Sequence, residues 1–397
     1  MTSAGRSTRT PPAGDGSRRR PYTTGALLKI LLVLGAIGAA SRLVFGLGAT
    51  TNLNDGYPWG LWISFDVLTG VALAAGGFTL SAAVYVFNLK AFEPLVRPAK
   101  VSAFVGYLMV VIGLFFDLGI PWRVWHPIMM WNPQSVLFEI AWCVMLYTGV
   151  LAVDVVILVL ERFRKESWVR TLRSVYVFFV AAGLVLSTLH QSSLGALYLL
   201  VPQKMSALWA SPALGPLFYA SAVIAGLSVV LLESLLVARN HACEPDMKIL
   251  SSLAKGLATA LLVYFAMKVT DLYARGVETW RLDGVHAFFY LELFGTVLVP
   301  AVLLGLFPGV RRSRAGLIWC AGLSAFGVAL NRFNVSLIGY GGYADFAYFP
   351  SLVELVVTVG LIALGLLAFD LAAHFLPVYG RAPSRAGEER LAPQSAR

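Results

Sequence analysis

The sequence predicts an all-α, polytopic membrane protein with ten transmembrane helices. Hydrophobic residues make up 58% of the 397 residues and charged residues only 13%, whereas a soluble domain carries about 25% charged residues. The apolar residues also fall in blocks of about 18 residues or more, which is long enough to cross a bilayer. A soluble core does not account for blocks of this length.

Ten apolar runs lie between two polar tails. Residues 1–24 are rich in Arg, Ser, Thr, Pro and Gly, which is typical of a disordered basic tail. Residues 25–376 form the predicted membrane domain, and residues 377–397 form a second tail. The runs lie near 26–46, 62–88, 101–120, 135–160, 173–190, 215–238, 252–273, 285–306, 315–332 and 351–376.

The distribution of basic residues orients these runs. If the first tail is cytoplasmic, the tails and even-numbered loops hold 24 of the 31 Lys and Arg residues. Because cytoplasmic loops are enriched in Lys and Arg, this bias predicts ten spans in a bacterial inner membrane, with both tails in the cytoplasm. The net charge of +10 is then a topology signal, and no aromatic-interleaved basic segment predicts nucleic-acid binding.

Cysteine spacing limits the cofactors that the chain could hold. Cys143, Cys243 and Cys320 are far apart, and no CxxC or CxxCH motif occurs. We therefore expect no iron–sulphur cluster and no covalently attached haem, and we predict no metal site.

The odd-numbered loops, which this orientation places outside, are rich in aromatic residues, Gly and Pro. Loop one reads GATTNLNDGYPWG and loop three reads PWRVWHPIMMWNP. Such backbone is tolerated at membrane depth where protein covers it or where it lines a cavity. An aromatic belt explains many of the Trp and Tyr residues, but not the Asn, Asp and His among them. The outer face is therefore predicted to be the working face and a docking surface.

Ionisable residues inside the runs are costly, so each is a functional hypothesis. Glu139 and Glu233 are embedded in apolar sequence, where a carboxyl group favours its neutral form and can carry protons. Glu139 is expected about 9 Å along a helix that starts at Pro133. His190 is predicted to end the fifth run, among the hydroxyl and amide side chains of STLHQSSLG. A quinone needs hydrogen-bond donors, a proton source near each carbonyl oxygen and aromatic walls, all of which this region supplies.

Other charges in the runs have structural interpretations. Lys268 and Asp271 lie three residues apart on one helix face and are predicted to pair. Asp154 and Asp370 lie near cytoplasmic arginines and are expected to reach the membrane interface, which makes both weak candidates for function.

Four stretches resemble the NrfD/polysulphide-reductase family of membrane subunits, and most closely its HybB-like branch from nickel–iron hydrogenases. They are LNDGYPWGLWISFDV, PWRVWHPIMMWNPQSVLFEIAW, LSTLHQSSLGALYLL and LNRFNVSLIGY, within residues 25–376. The resemblance implies two four-helix bundles with flanking helices and no bound haem or iron–sulphur cluster in this chain. The implied partners are a periplasmic ferredoxin-like iron–sulphur subunit and the large and small subunits of a hydrogenase or another redox module.

The resemblance also implies a function and two sets of residues. The chain would be the quinone-interacting subunit of a respiratory oxidoreductase, not catalytic alone, that passes electrons between its partner and quinone and is coupled to proton movement. The residues implied to line or approach a site for menaquinone or ubiquinone are Asp66, Glu139 and His190. Those implied to form a proton route toward the cytoplasm are Arg97, Tyr107 and Glu233.

The residues by themselves are compatible with three other functions. A haem-b quinone oxidoreductase needs paired histidines on facing helices, and His126, His190 and His286 near the outer side allow at most one haem. A proton-coupled secondary transporter would use buried carboxylates and helices broken by Gly or Pro, although no convincing inverted repeat is evident. A non-catalytic membrane anchor of a redox complex would tolerate substitution of Glu139 and His190.

Overall fold

Ten membrane-length helices dominate the fold. The computed structural model describes residues 25–57, 59–237, 246–281, 283–341 and 348–379, so the predicted tail 1–24 and most of the tail 377–397 lie outside the described residues. Ten described helices are long and apolar enough to cross a membrane, which confirms the predicted architecture. We number them α1 (Ala26–Phe45), α2 (Trp62–Val86), α3 (Lys90–Asp117), α4 (Val136–Arg162), α5 (Tyr176–Tyr198), α6 (Leu214–Leu236), α7 (Met247–Ala274), α8 (Gly284–Leu306), α9 (Arg314–Ile338) and α10 (Leu352–Phe375).

The helices form two four-helix bundles with two flanking helices, as predicted. α2, α3, α4 and α5 pack together in the first bundle, and α6, α7, α8 and α9 in the second. α6 also packs on α2 and α5, so one apolar core runs through both bundles. α1 packs along α10, and α10 packs on α3, which places both flanking helices beside the first bundle.

The start of α3 differs from the prediction because its first turns contain polar residues. The helix begins at Lys90 rather than at residue 101, because polar residues in its first turns pair with neighbouring helices instead of remaining in a loop. Arg97 pairs with Glu161 and Lys100 pairs with Asp154, both on α4. Asp154 is therefore paired within a helix contact, and the expectation that it reaches the membrane interface stays a prediction.

The fifth helix likewise continues past its predicted end. Gln191 donates to the Val71 carbonyl on α2 at 3.1 Å, and Ser193 donates to Glu139 Oε1 on α4 at 2.6 Å. These bonds satisfy polar side chains inside the bundle, so the helix runs on to Tyr198. His190 lies about two turns before the helix end, and the prediction that it ends the span was wrong.

The start of α4 also differs from the prediction. The helix begins at Val136, and the Ser135 hydroxyl accepts a hydrogen bond from the backbone N–H of Phe138 at 3.4 Å. Ser135 caps the helix because its oxygen satisfies a backbone donor that has no partner within the helix. The prediction that Pro133 starts the span was wrong, and Glu139 lies in the first turn of α4.

Three buried acids lie in π-helical turns. Asp66 lies in Trp62–Thr69 of α2, Glu233 starts Glu233–Val237 of α6, and Glu292 lies in Leu291–Leu298 of α8. π-helical turns are rare and occur frequently at functional sites. The three acids therefore mark positions where function is to be sought.

α1 and α10 cross at Gly35 and Gly360. A Cβ atom on Gly35 would lie 2.6 Å from the Gly360 Cα, and one on Gly360 would lie 2.5 Å from the Gly35 Cα. Small residues allow helix backbones to approach this closely in a membrane. We expect Gly35→Ala to push the helices apart and lower the free energy of unfolding by about 1–3 kcal/mol. The measurement is the thermal unfolding midpoint of the purified protein.

Gly256→Ala is the matched control. Gly256 lies within α7, and a Cβ atom there meets no other atom within 4 Å. Alanine favours a helix over glycine by about 1 kcal/mol, so this midpoint should stay unchanged or rise. If Gly35→Ala had the same midpoint as Gly256→Ala, close approach at the crossing would not matter.

Candidate functional site

Glu139 on α4 and His190 on α5 lie on two helices that pack against each other. Glu139 Oε1 accepts a hydrogen bond at 2.6 Å from the hydroxyl of Ser193, three residues beyond His190 on α5. Glu139 is exposed on the flank of the bundle, whereas His190 is completely buried behind it. The structure thus places two of the three residues predicted to contact quinone on neighbouring helices, one at the surface and one inside.

The surroundings of His190 contain buried polar atoms without partners. Its ring centroid lies 5.8 Å from that of Tyr107, which lies 4.6 Å from the ring of Tyr147. Among the described residues, the buried side-chain atoms here that make no hydrogen bond are Tyr107 Oη, Tyr147 Oη, Ser187 Oγ, both ring nitrogens of His190 and Gln191 Oε1. Native proteins rarely leave such atoms unpaired. Their grouping points to water or a polar ligand between α3, α4 and α5.

Asp66 lies in a different pocket. Its Oδ2 accepts a hydrogen bond from Thr358 on α10 at 2.7 Å, and its Cβ lies against Gly113 on α3. Arg42 of α1 lies at the outer end of this region and donates to the carbonyls of Phe116 at 2.9 Å and Leu118 at 2.7 Å. The recorded contacts of Asp66 are thus with α3 and α10, not with Glu139 or His190.

Three polar pairs connect α3 and α4 below His190. Tyr107 contacts Tyr147, Lys100 Nζ lies 2.9 Å from Asp154 Oδ1, and Arg97 Nη1 lies 3.1 Å from Glu161 Oε2. We call these three pairs the polar ladder. On α4 its members are seven residues apart, which is about two helical turns and so one face. The ladder thus follows one line from the end of α4 near Arg162 toward His190.

Residues of neighbouring segments also bond to the Lys100–Asp154 and Arg97–Glu161 pairs. Tyr176 at the start of α5 donates to Asp154 Oδ1 at 2.6 Å, and its hydroxyl also contacts the Lys100 ammonium. Arg173, in the short helix before α5, donates to Glu161 Oε1 at 2.6 Å. Sequence reasoning missed Lys100 and Tyr176. The signal that could have revealed the ladder was the seven-residue spacing of Tyr147, Asp154 and Glu161.

Glu233 lies apart from the ladder. Its Oε2 accepts from the Ser102 hydroxyl at 2.7 Å and its Oε1 from the Tyr379 hydroxyl at 3.3 Å. Ser102 and Lys100 are two residues apart on α3, so they point to nearly opposite sides of that helix. Of the three residues predicted for a proton route, the structure places Arg97 and Tyr107 on one line and Glu233 on another.

The second bundle holds a buried acid surrounded by donors. Glu292, fully buried in α8, accepts from Trp209 Nε1 at 3.0 Å, Asn331 Nδ2 at 2.8 Å, Asn334 Nδ2 at 2.6 Å and Tyr264 Oη at 3.5 Å. Indole and amide N–H groups donate but cannot accept. A carboxylate accepts hydrogen bonds without donating any, so it fits these N–H donors. Asp66, Glu139 and Glu233 instead have hydroxyl partners, which can donate or accept.

Two buried cations accompany Glu292. The Arg332 guanidinium donates to Asn331 Oδ1 at 2.6 Å and lies 3.6 Å from the centre of the Phe218 ring. Lys268 Nζ donates to the Leu208 carbonyl at 2.9 Å. The predicted Lys268–Asp271 pairing was wrong, because Asp271 lies within 2.7 Å of Arg275 Nη2, one turn further along α7.

An aromatic cluster covers the end of the first bundle where α2 begins. Its members are Tyr57, Trp59, Tyr198, Tyr340 and Tyr348. The rings of Tyr57 and Tyr348 stack with centroids 4.9 Å apart, and the Tyr348 hydroxyl donates to Glu354 Oε1 at 2.5 Å. Burial raises the pKa of Tyr57 and of Tyr348, so both phenols remain protonated donors at neutral pH.

Loop three exposes apolar side chains at the same end of the molecule. Trp122 is 70% exposed, Met129 72% and Trp131 65%. The loop is held against α4 because Trp142 Nε1 donates to the Pro127 carbonyl at 2.9 Å. Soluble proteins rarely expose such patches unless they contact a membrane or a partner. This is the surface for which the sequence predicts a docking partner.

Known proteins resemble this chain over most of its length. The family described as "Polysulphide reductase, NrfD" matches residues 49–343. The chain is 38% identical over 361 residues to a protein of Nitratidesulfovibrio vulgaris, covering 88% of this chain and 92% of the relative. It is 34% identical over 360 residues to the probable Ni/Fe-hydrogenase 2 b-type cytochrome subunit of Escherichia coli, covering 88% and 90%. It is 27% identical over 378 residues to the integral membrane subunit of a menaquinone reductase of N. vulgaris, covering 87% and 88%.

Proposed function

Because this chain belongs to the polysulphide reductase NrfD family, we propose that it is the quinone-interacting membrane subunit of a respiratory redox complex. One observation carries the proposal. Glu139 is exposed at the outer end of α4 and is hydrogen-bonded to the helix whose buried His190 lies among unpartnered polar atoms. A quinone diffuses within the bilayer, so its site must open sideways to lipid and offer polar groups inside.

The electrons come from a partner at the outer face. The proposed partner is a periplasmic ferredoxin-like iron–sulphur subunit, joined to the large and small subunits of a nickel–iron hydrogenase. Two relatives support a redox partner, because their names place them in a hydrogenase and in a menaquinone reductase. The exposed tryptophans of loop three are the proposed docking surface.

Quinone reduction consumes two electrons and two protons, one proton for each carbonyl oxygen. Glu139 is placed to supply one proton, because its Ser193 partner is a hydroxyl that can donate or accept as the carboxyl group changes state. His190 supplies a second polar contact. Asp66 belongs to the proposed site as a group near its outer side, although its recorded contacts are with α3 and α10. The substrate is menaquinone or ubiquinone.

The proton supply in this proposal comes from the inner half of the protein. Arg97 and Tyr107 belong to the polar ladder, and Glu233 with Ser102 forms a second polar position at the inner end. The membrane is the bacterial inner membrane, with both tails in the cytoplasm. Protons taken from the cytoplasm for a reaction at the outer face would make turnover electrogenic.

We propose further that the chain carries no haem or iron–sulphur cluster of its own. The name of the E. coli relative implies a b-type haem, which usually takes two facing histidines. His286 Nδ1 contacts Asp283 at 2.8 Å and its Nε2 contacts the Glu278 carbonyl at 3.4 Å, while His126 packs edge-to-face against Trp125. Among the described residues, neither imidazole makes a hydrogen bond or a ring contact with His190. A Soret band in the purified chain would overturn this proposal.

Hydrogen-dependent quinone reduction in isolated membranes tests the proposed function. Membranes with the chain should reduce a water-soluble quinone analogue with hydrogen as donor, and membranes without it should not. Mass spectrometry of the co-purified complex identifies the redox partner. Full activity of complexes with changes at both Glu139 and His190 would leave the chain only an anchoring role. Proton-driven solute uptake by the chain alone would favour a transporter.

A further inference from the structure

The polar ladder contains a space between its middle pair, Lys100–Asp154, and its outer pair, Tyr107–Tyr147. A partly open cavity with about 20 Å³ of room for water is lined by Lys100 and Asp154 at one end and by Tyr147 at the other, with Gly183 of α5 beside them. Tyr147 and Asp154 lie about 10 Å apart along α4, which is too far for a direct hydrogen bond. The enclosed part of the cavity has room for about one or two water molecules. Bound water would connect the two pairs.

We propose that Lys100, Asp154 and Tyr176 form the inner proton-transfer site, from which protons cross the cavity to Tyr147, Tyr107 and His190. This inference rests on the proposed function, because it names the residues that would feed the proposed quinone site. It assigns the inner route to the polar ladder and not to Glu233, which does not line the cavity.

The bonding of Asp154 suits a group that binds and releases a proton. Lys100 Nζ and the Tyr176 hydroxyl both donate to Oδ1, and within the described residues Oδ2 accepts no hydrogen bond. A proton from the inner side can therefore bind at Oδ2 without displacing either partner. The Lys100 ammonium offsets the carboxylate charge, which makes a buried acid tolerable at this depth.

The transfer balances at each step. Asp154 takes up one proton and later releases it to a cavity water, which passes on one of its own protons. The hydroxyl of Tyr147 accepts a proton and gives up its own toward Tyr107 and His190. Each relay group thus returns to its starting state, and one proton has moved outward. The hydroxyl groups of Tyr107, Tyr147 and Ser187 can both accept and donate a hydrogen bond.

The middle and outer pairs can be tested separately in the intact complex. The double variant Lys100→Gln with Asp154→Asn removes both charges, so no buried ion is left unpaired. Tyr147→Phe removes a single hydroxyl and keeps the ring that packs on Tyr107. We expect each variant to lower hydrogen-dependent quinone reduction by about tenfold or more. The ratio of rates in light and heavy water should rise, because proton delivery becomes rate-limiting, and small weak acids should partly restore the rate.

Thr79→Val is the matched control. The Thr79 hydroxyl donates to the Ala75 carbonyl within its own helix at 2.9 Å and does not line the cavity. Its loss should leave the rate and the isotope ratio unchanged. A wild-type complex without quinone turnover would refute the proposed function itself. If the wild type turns over and both ladder variants keep its rate, the ladder does not carry the protons. Loss of turnover in Glu233→Gln with full turnover in both ladder variants would assign the route to Glu233.

Discussion

Replacing Glu292 with glutamine is expected to remove most of the folded protein from the membrane. Two amide N–H groups and one indole N–H converge on the two carboxylate oxygens. Glutamine would place its own NH₂ group against one of these donors and would remove the carboxylate that acts on the buried Arg332 guanidinium. Leaving a buried charge uncompensated costs about 3–5 kcal/mol, which is a large part of the stability of a typical protein.

The amount of monodisperse protein extracted from membranes measures this effect. Glu233→Gln is the control, because Glu233 is also an acid in a π-helical turn, but its partners Ser102 and Tyr379 are hydroxyls that can reorient. We expect it to accumulate like the wild type. Equal accumulation of Glu292→Gln would mean that its surroundings accept a neutral side chain.

Glutamine at position 139 should leave the protein folded but slow quinone reduction by about a hundredfold. The Ser193 hydroxyl can still donate to the remaining carbonyl oxygen, so the contact between α4 and α5 persists. The amide cannot release a proton to a quinone oxygen. The measurement is the rate of hydrogen-dependent quinone reduction in membranes, normalised to the amount of assembled complex.

Glu278→Gln provides the comparison for Glu139. Glu278 is an exposed acid near the outer end of α8, and it lies 3.9 Å from Arg281 in a solvent-exposed ion pair. Exposed pairs of this kind contribute little to stability, so its neutralisation should change neither the rate nor the amount of complex. A full rate in Glu139→Gln would show that the quinone proton comes from another group.

Polar and charged side chains produced the main errors of sequence reasoning. Lys100 and Arg97 made the start of α3 resemble a loop, and Gln191 and Ser193 did the same at the end of α5. In both places the polar groups bond across a helix contact, which a linear pattern does not reveal. The same limit led to the wrong partner for Asp271, because a partner one turn away on the helix competes with one three residues away.

The sequence by itself determined the number of spans. Lipid offers no hydrogen bonds to a backbone, so each crossing must be a continuous apolar helix that is readable in one dimension. The distribution of Lys and Arg predicts their direction for a similar reason, because it is a property of loops and not of contacts.

Only the tertiary structure decided which buried polar groups act together. It joined Glu139 to the helix of His190, aligned the three pairs of the polar ladder and separated Asp66 and Glu233 from them. It also surrounded Glu292 with N–H donors while giving Asp66, Glu139 and Glu233 hydroxyl partners. The physical reason is that a buried charge is stabilised by whichever group lies across the helix contact, and that neighbour comes from a distant part of the chain.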